Sequence, residues 1–244
     1  VQEVADTYPF PDNKLPICVD VGANVGAFSL PMSYYCDKVI SIEPFKENYD
    51  YMVSMIEKYE IDNIIPINKA IYPSDGKIVE MSVVEENTDS KDITCIEKRD
   101  DMVPLGSVET ISLDSIIRDY GEIDYMKVDC EGCEWDLLYG TDLSKVKTIV
   151  AEIHRGYIGD DNKVKLLDYL NKEYDVSYAY HQEYSSPSFE PTEFLFRRKD
   201  TPKYENNIFV RFAVNNPTIG ILSPECPIKF NNWIRTCGVF MQPT

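Results

Sequence analysis

Basic residues are scarce: Lys and Arg total 24 against 42 Asp and Glu, a formal net charge of −18. A polyanion is held mainly by Lys and Arg that neutralise its phosphates, so a chain this acidic is not expected to bind nucleic acid unless a basic patch offsets the repulsion. The longest basic cluster, Arg197-Arg198-Lys199, is too short for that. Long apolar runs are missing too. None approaches the roughly 18 uninterrupted residues of a membrane span, and no membrane partner is expected. No internal repeat is evident, and the opening Val1-Gln2-Glu3 has no basic-then-apolar leader, so no signal peptide is expected. The cysteines (Cys18, Cys36, Cys95, Cys130, Cys133, Cys226 and Cys237) form an odd, scattered set, several inside apolar runs where a thiol packs as a small hydrophobe. Reduced thiols and a cytoplasmic location are the resulting expectation.

At 244 residues, 43% hydrophobic and 27% charged, the composition is that of an ordinary folded globule, with enough chain for a core that needs no disulfide staples. Apolar runs at Ile17 to Val21, Val39 to Ile42, Ile64 to Ile67, Ile123 to Val128 and Thr148 to Ile153 alternate with helix-length segments. Those segments are Leu30 to Cys36, Lys46 to Tyr59, Leu113 to Tyr120 and Glu134 to Tyr139. Strand–helix alternation of this kind predicts a doubly wound α/β domain with a parallel sheet. Pro66 cannot donate to a ladder, so the third strand belongs at the sheet's edge. If the chain winds outward to that edge and then crosses back, a topological switch falls between the first and fourth strands, where ligands of open α/β sheets bind.

Residues Lys77 to Val84 alternate like a small β excursion, and Glu85 to Asp101 read as a polar insertion. Asp160 to Lys172 should form a helix, with Val164, Leu167 and Leu170 at helical spacing; Val176 to Tyr180 and Glu193 to Arg197 read as a closing antiparallel pair. Residues 1–200 are expected to form one domain, with 201–244 as an extension packed on it. No feature specifies an oligomeric state.

The first strand runs directly into Gly22-Ala23-Asn24-Val25-Gly26. Glycines there let the chain bend and let a ligand approach the backbone. A dinucleotide fold wants Gly-x-Gly-x-x-Gly, and Asn24 stands where the middle glycine would make room for a pyrophosphate. The turn therefore suits a nucleoside-like ligand without a diphosphate, such as S-adenosyl-L-methionine, with Asp20 placed to face its ammonium or sulfonium region. A tight βα turn with no ligand would use the same glycines. Glu43, ending the second strand, is placed to accept both hydroxyl protons of a ribose. Asp20, Gly22, Asn24, Gly26 and Glu43 are thus the expected cofactor-binding residues.

Asp20-Val21-Gly22-Ala23-Asn24-Val25-Gly26, Ser41-Ile42-Glu43-Pro44, Leu113-Asp114-Ser115-Ile116, Met126-Lys127-Val128-Asp129-Cys130-Glu131-Gly132-Cys133-Glu134 and Ala151-Glu152-Ile153-His154 together resemble the FkbM-type methyltransferases. The resemblance covers about residues 17 to 155, and its Lys-x-Asp-x-Glu-Gly core is its most specific part. It implies a class I, Rossmann-like fold with a mostly parallel seven-stranded sheet whose seventh strand is antiparallel. It also implies S-adenosylmethionine as cofactor and O-methylation of a small-molecule or glycan acceptor, on a hydroxyl of a sugar, glycan or glycosylated metabolite. Cys130 and Cys133 depart from the aliphatic or small residues expected in that motif, and Pro31 should delay or distort the first helix.

Lys127 and Asp129 share one strand face with Glu131 just beyond, and Glu152 and His154 repeat the arrangement on the next strand. His154, Asp129 and Glu131 are the expected catalytic residues. His154 is the leading general base because an ordinary imidazole titrates near neutrality; Asp129 or Glu131 orients it or takes the proton instead. Lys127 is expected to pair with the carboxylates. Three carboxylates and a histidine can hold Mg²⁺ or Mn²⁺, but no pair has the spacing of a dedicated metal motif, and no metal is expected. Cys130 and Cys133, with no second such pair in the chain, are expected to be packed, reduced thiols. Trp135, Leu138 and Tyr139 should form the buried face of their helix. Two rival functions are a nicotinamide-dependent oxidoreductase, which Asn24 argues against, and a non-catalytic nucleoside-binding protein, which the joint presence of Asp129, Glu131, Glu152 and His154 argues against.

Overall fold

A computed structural model describes residues 11, 13–84, 93–94, 102–178 and 193–201. A seven-stranded sheet is built from β1 (Leu15–Val21), β2 (Cys36–Ile42), β3 (Ile64–Ile67), β8 (Tyr125–Val128), β9 (Thr148–Glu152), β10 (Tyr174–Tyr178) and β11 (Glu193–Arg198). The spatial order is β10-β11-β9-β8-β1-β2-β3, all parallel except β11, which runs antiparallel to both its neighbours. The expected class I order is met. Pro66 lies on the edge strand β3, where its missing N–H costs no ladder bond, and the switch falls between β1 and β8. A second sheet, in the order β4-β7-β5-β6, joins β4 (Ala70–Ile71), β5 (Ile78–Val84), β6 (Ile93–Thr94) and β7 (Met102–Ile111). It contains the expected excursion; most of the polar insertion lies outside the described residues, as does all of the extension beyond residue 201.

The central strands are apolar on both faces because both are covered. Val19, Val21, Met126, Val128, Ile149 and Ala151 belong to one buried cluster, and Cys18, Val39, Tyr125 and Val150 to the other. Six helices are described: α1 (Ser29–Met32), α2 (Lys46–Lys58), α3 (Leu113–Tyr120), α4 (Glu134–Leu138), α5 (Arg155–Ile158) and α6 (Asp160–Leu170). The expected first helix, Leu30 to Cys36, shortens to four residues containing Pro31, and Cys36 already opens β2.

Two buried faces differ from the sequence expectation. On α6 the inward residues are Lys163, Leu166 and Leu170, whereas Val164 is 58% exposed. The Lys163 stem packs inward with its ammonium 5.6 Å from the centre of the Phe194 ring, so a long cationic side chain takes a place the hydrophobic pattern reserved for valine. On α4, Leu137 and Leu138 are buried beside Glu134, while Tyr139 is exposed and stacks on Trp135 with ring centres 4.0 Å apart. The third correction is chemical. Cys130 and Cys133 are joined in a disulfide rather than reduced, with Cα atoms 5.6 Å apart. Cys18 and Cys36 are free and buried. The reduced-thiol argument for a cytoplasmic location therefore does not extend to the pair beside the site. No helix among the described residues is long and apolar enough to cross a membrane.

Candidate active site

The carboxyl ends of β2, β1, β8 and β9 lie side by side and carry every site residue expected from the sequence. At β1 the chain leaves the sheet through Gly22, with φ +74°, and the turn passes Asn24 (φ +51°) and Gly26 (φ +86°) in the left-handed region. Asn tolerates that region better than most residues, which explains how the turn survives without a middle glycine. The turn is fastened to β2: Gly22 N–H and Ala23 N–H both donate to the Ile42 carbonyl, at 3.1 and 3.0 Å. It is also fastened to Glu43, whose Oε2 accepts the Asn24 N–H at 2.7 Å while Oε1 accepts the Phe45 N–H at 2.8 Å. The turn and the end of β2 are thus one hydrogen-bonded unit. Burial raises the Glu43 carboxyl and the two N–H donors oppose it, leaving it near 7.

Asp20 does not open to the crevice. It is fully buried in register with Ser41 on β2 and Lys127 on β8; its Oδ2 accepts the Ser29 hydroxyl at 2.5 Å, and its Oδ1 lies 3.3 Å from Lys127 Nζ. Lys127 Nζ donates to the Gly22 carbonyl at 2.8 Å and lies 3.4 Å from Asp129 Oδ2. Burial works against its charge, but Asp129 and Asp20 outweigh burial and hold the ammonium above its usual range. The pairing role expected of Lys127 is what the geometry gives, and Asp20 serves it from beneath the turn.

After β8 the chain turns through Glu131 (φ +51°) and Gly132 (φ +108°), and the Cys130–Cys133 disulfide spans these two residues. This places Glu131 Oε2 3.3 Å from His154 Nε2; Glu152 Oε1 and Asp129 Oδ1 lie 3.6 and 3.9 Å from the same nitrogen. The other ring nitrogen, Nδ1, donates to Glu134 Oε1 at 2.6 Å, and that oxygen also accepts the Gly132 N–H at 3.2 Å. Burial would lower the imidazole, but the Glu134 hydrogen bond and the charges of Glu134, Glu131 and Glu152 outweigh it and push the ring up to about 10. Glu134 has no role among the sequence expectations. A carboxylate two residues past the Glu131-Gly132 turn, with no exposure at all, is the signal that it serves something inside.

Two parts of the site abut. A Cβ placed on Gly22 would lie 1.8 Å from the Asp129 carbonyl oxygen, so the glycine turn packs directly on the strand that carries the acidic group.

Residues 20–178 match the Methyltransferase FkbM domain, well over half of the chain. The chain belongs to the FkbM methyltransferase family. The match begins at Asp20, takes in the glycine turn, Glu43 and the whole His154 group, and ends with β10. No curated protein matches the chain in a sequence search. Among solved structures, the Methyltransferase FkbM of Methylobacillus flagellatus KT is 17% identical, with a TM-score of 0.47, over 77% of this chain and 44% of that one. The chain therefore spans less than half the length of that FkbM protein. A Streptococcus mutans protein solved in complex with SAH is 10% identical, with a TM-score of 0.43, over 81% of this chain and 94% of that one. The precorrin-6y C5,15-methyltransferase of Geobacter metallireducens GS-15 is 13% identical, with a TM-score of 0.43, over 77% and 82%.

Proposed function

We propose that the protein transfers the methyl group of S-adenosylmethionine to a hydroxyl oxygen of a sugar, glycan or glycosylated metabolite. The observation that supports this reading is the direct packing of Gly22 on Asp129, which sets the glycine turn and Glu43 beside the carboxylates and imidazole of the His154 group. In such a transfer the acceptor oxygen attacks the methyl carbon as the C–S bond breaks, and the hydroxyl proton leaves to a base. Holding donor and acceptor in line supplies much of the rate. Gly22, Asn24 and Gly26 shape the adenosyl seat, Glu43 takes the ribose, and Asp20 supports the seat through Lys127 and Ser29.

At the acceptor end His154 is held by carboxylates in its protonated form, which suits it to supply positive charge rather than to remove a proton. Proton acceptance falls to Glu131 and Asp129, which flank Nε2. The substrate class rests on the resemblance to the family alone. The net charge of −18 favours a neutral or cationic acceptor over nucleic acid.

Titration calorimetry with S-adenosylhomocysteine and with NAD tests the cofactor assignment: binding of the first alone is expected, and binding of NAD alone would end the reading. His154→Ala should leave S-adenosylhomocysteine affinity within about threefold. Methyl transfer, followed with a radiolabelled donor across a panel of sugars, should slow by a factor on the order of 10²–10⁴. Unchanged transfer would remove His154 from the reaction.

Glu43 gives a pH signature. Its ionised form is the one that accepts ribose hydroxyls, so affinity should be pH-independent above about 7 and weaken about tenfold per pH unit below it. The amino and carboxyl groups of S-adenosylhomocysteine keep their charges between pH 5.5 and 8, so a series over that range isolates the protein group. Glu43→Gln should bind more weakly and without the slope; a wild-type affinity that is flat across the range would refute the assignment.

A further inference from the structure

The three side chains Asp129, Glu152 and His154 bring one ligand atom each to within 4.8 Å of one another at the ends of the adjacent strands β8 and β9. The geometry points to a divalent-cation site there, with Mn²⁺ or Mg²⁺ as occupant. This departs from the sequence expectation, and three observations carry it.

The first is spacing. A charged ring bonded to a carboxylate would sit about 2.7–2.9 Å from it. Nε2 instead lies 3.3, 3.6 and 3.9 Å from Glu131, Glu152 and Asp129. Ligand atoms about 2.1 Å from a common metal stand about 3.0 Å apart in an octahedron and about 3.4 Å apart in a tetrahedron. The two carboxylates of the set, Glu152 and Asp129, thus stand 3.6 and 3.9 Å from Nε2, too far for a direct charged hydrogen bond and somewhat wider than ligands around one cation, so the three side chains leave room for an ion that would draw them together.

The second is orientation. Nδ1 is committed to Glu134, so Nε2 is the nitrogen turned to the carboxylates; a cation binding there would displace the Nε2 proton to solvent while Nδ1–H stays on Glu134, and a carboxylate behind a ligating histidine is the usual outer support of a metal site. The third is a buried oxygen: Glu134 has no exposure, and its Oε2 has no hydrogen-bond partner among the described residues. With Asp129, Glu131 and Glu152 it makes four carboxylates around one imidazole, an excess of negative charge that a divalent cation offsets. Two carboxylates and one imidazole match a cation that prefers oxygen and accepts a nitrogen.

Glu131 lies outside the three-residue set and, with Asp129 committed to the cation, takes over proton acceptance alone. On the methyl-transfer reading, on which this clause alone rests, the cation would hold the acceptor hydroxyl oxygen.

Electron paramagnetic resonance of Mn²⁺ titrated into the full chain, with S-adenosylhomocysteine calorimetry on the same samples, tests the site. One Mn²⁺ per chain is expected, with Glu152→Gln weakening it at least tenfold and leaving S-adenosylhomocysteine binding in place. Asp129→Asn serves as a second variant, and far-UV circular dichroism checks that each is folded. Mn²⁺ binding that is absent, or unchanged in a folded variant, overturns the cation site even when S-adenosylhomocysteine binds. Variant-sensitive Mn²⁺ binding without S-adenosylhomocysteine binding upholds the cation site and counts against the cofactor reading.

Discussion

Gly22→Ala is expected to lower the melting temperature by about 10–20 °C, or to leave the protein insoluble, and to abolish S-adenosylhomocysteine binding. Two costs add. Alanine at φ +74° carries about 1–2 kcal/mol of left-handed strain. Its Cβ would then lie 1.8 Å from the Asp129 carbonyl oxygen and 2.8 Å from the carbonyl carbon, both backbone atoms that cannot rotate away. Relief requires the end of β8 to move off β1, which breaks the Asp129 N–H bond to the Val21 carbonyl at 3.1 Å and disturbs the Lys127 bond to Gly22. Together these reach about 4–5 kcal/mol, the exceptional range for one substitution, and a chain of this size loses about 2–4 °C per kcal/mol. Gly76→Ala is the control: its φ is +70°, but nothing lies within 4 Å of the added atom, so only the conformational cost applies. If thermal scans show the two variants equally stable, the close approach of Gly22 to β8 is not what the turn depends on.

That contact shows which parts of the site were legible beforehand. Positions were readable because strands impose a period of two and order their ends: Asp129 and Glu131 past one strand, Glu152 and His154 past the next, Glu43 past a third. Pro66 located the edge through a chemical incapacity, which no tertiary context alters. Roles were less readable, because a role depends on what lies across the sheet. Asp20 looks the same in sequence whether it faces a sulfonium or a lysine, and the β1–β8 register sets it against Lys127. His154 looks like a neutral base until four carboxylates, Asp129 and Glu131 from the turn after β8, Glu134 on α4 and Glu152 on β9, surround it. The strand β7 lacked a clean alternating pattern, with Pro104 and Gly106 in its middle, and is held by pairing with β5 across a register shift. The helix α6 turned Lys163 inward because the Phe194 ring offers its ammonium a partner, which a count of apolar spacing does not weigh.

The second large effect concerns Lys127, which ties the two halves of the site together. Its side chain is 5% exposed and meets Asp20, Asp129 and the Gly22 carbonyl at once, so it holds a buried carboxylate, the glycine turn and the acidic group with one ammonium. Lys127→Met fills nearly the same volume and removes only the charge and its donors. Asp20, with no exposure, then keeps the Ser29 hydroxyl as its donor and, among the described residues, no cation. Breaking a buried pair from one side costs about 3–5 kcal/mol, far above an exposed pair, because the remaining charge is stranded. The melting temperature should fall by about 6–20 °C. The diagnostic arm is the double variant Asp20→Asn/Lys127→Met, in which the stranded charge is gone and the amide still meets Ser29. It should recover a large part of the loss, with a coupling of about 1–3 kcal/mol in a double-mutant cycle. Cofactor affinity should not recover with it, since the Gly22 carbonyl still lacks its donor and the turn is no longer pinned to β8. Recovery of stability without recovery of S-adenosylhomocysteine binding separates the two duties of the lysine; additive losses would mean that Asp20 and Lys127 stand together without depending on each other.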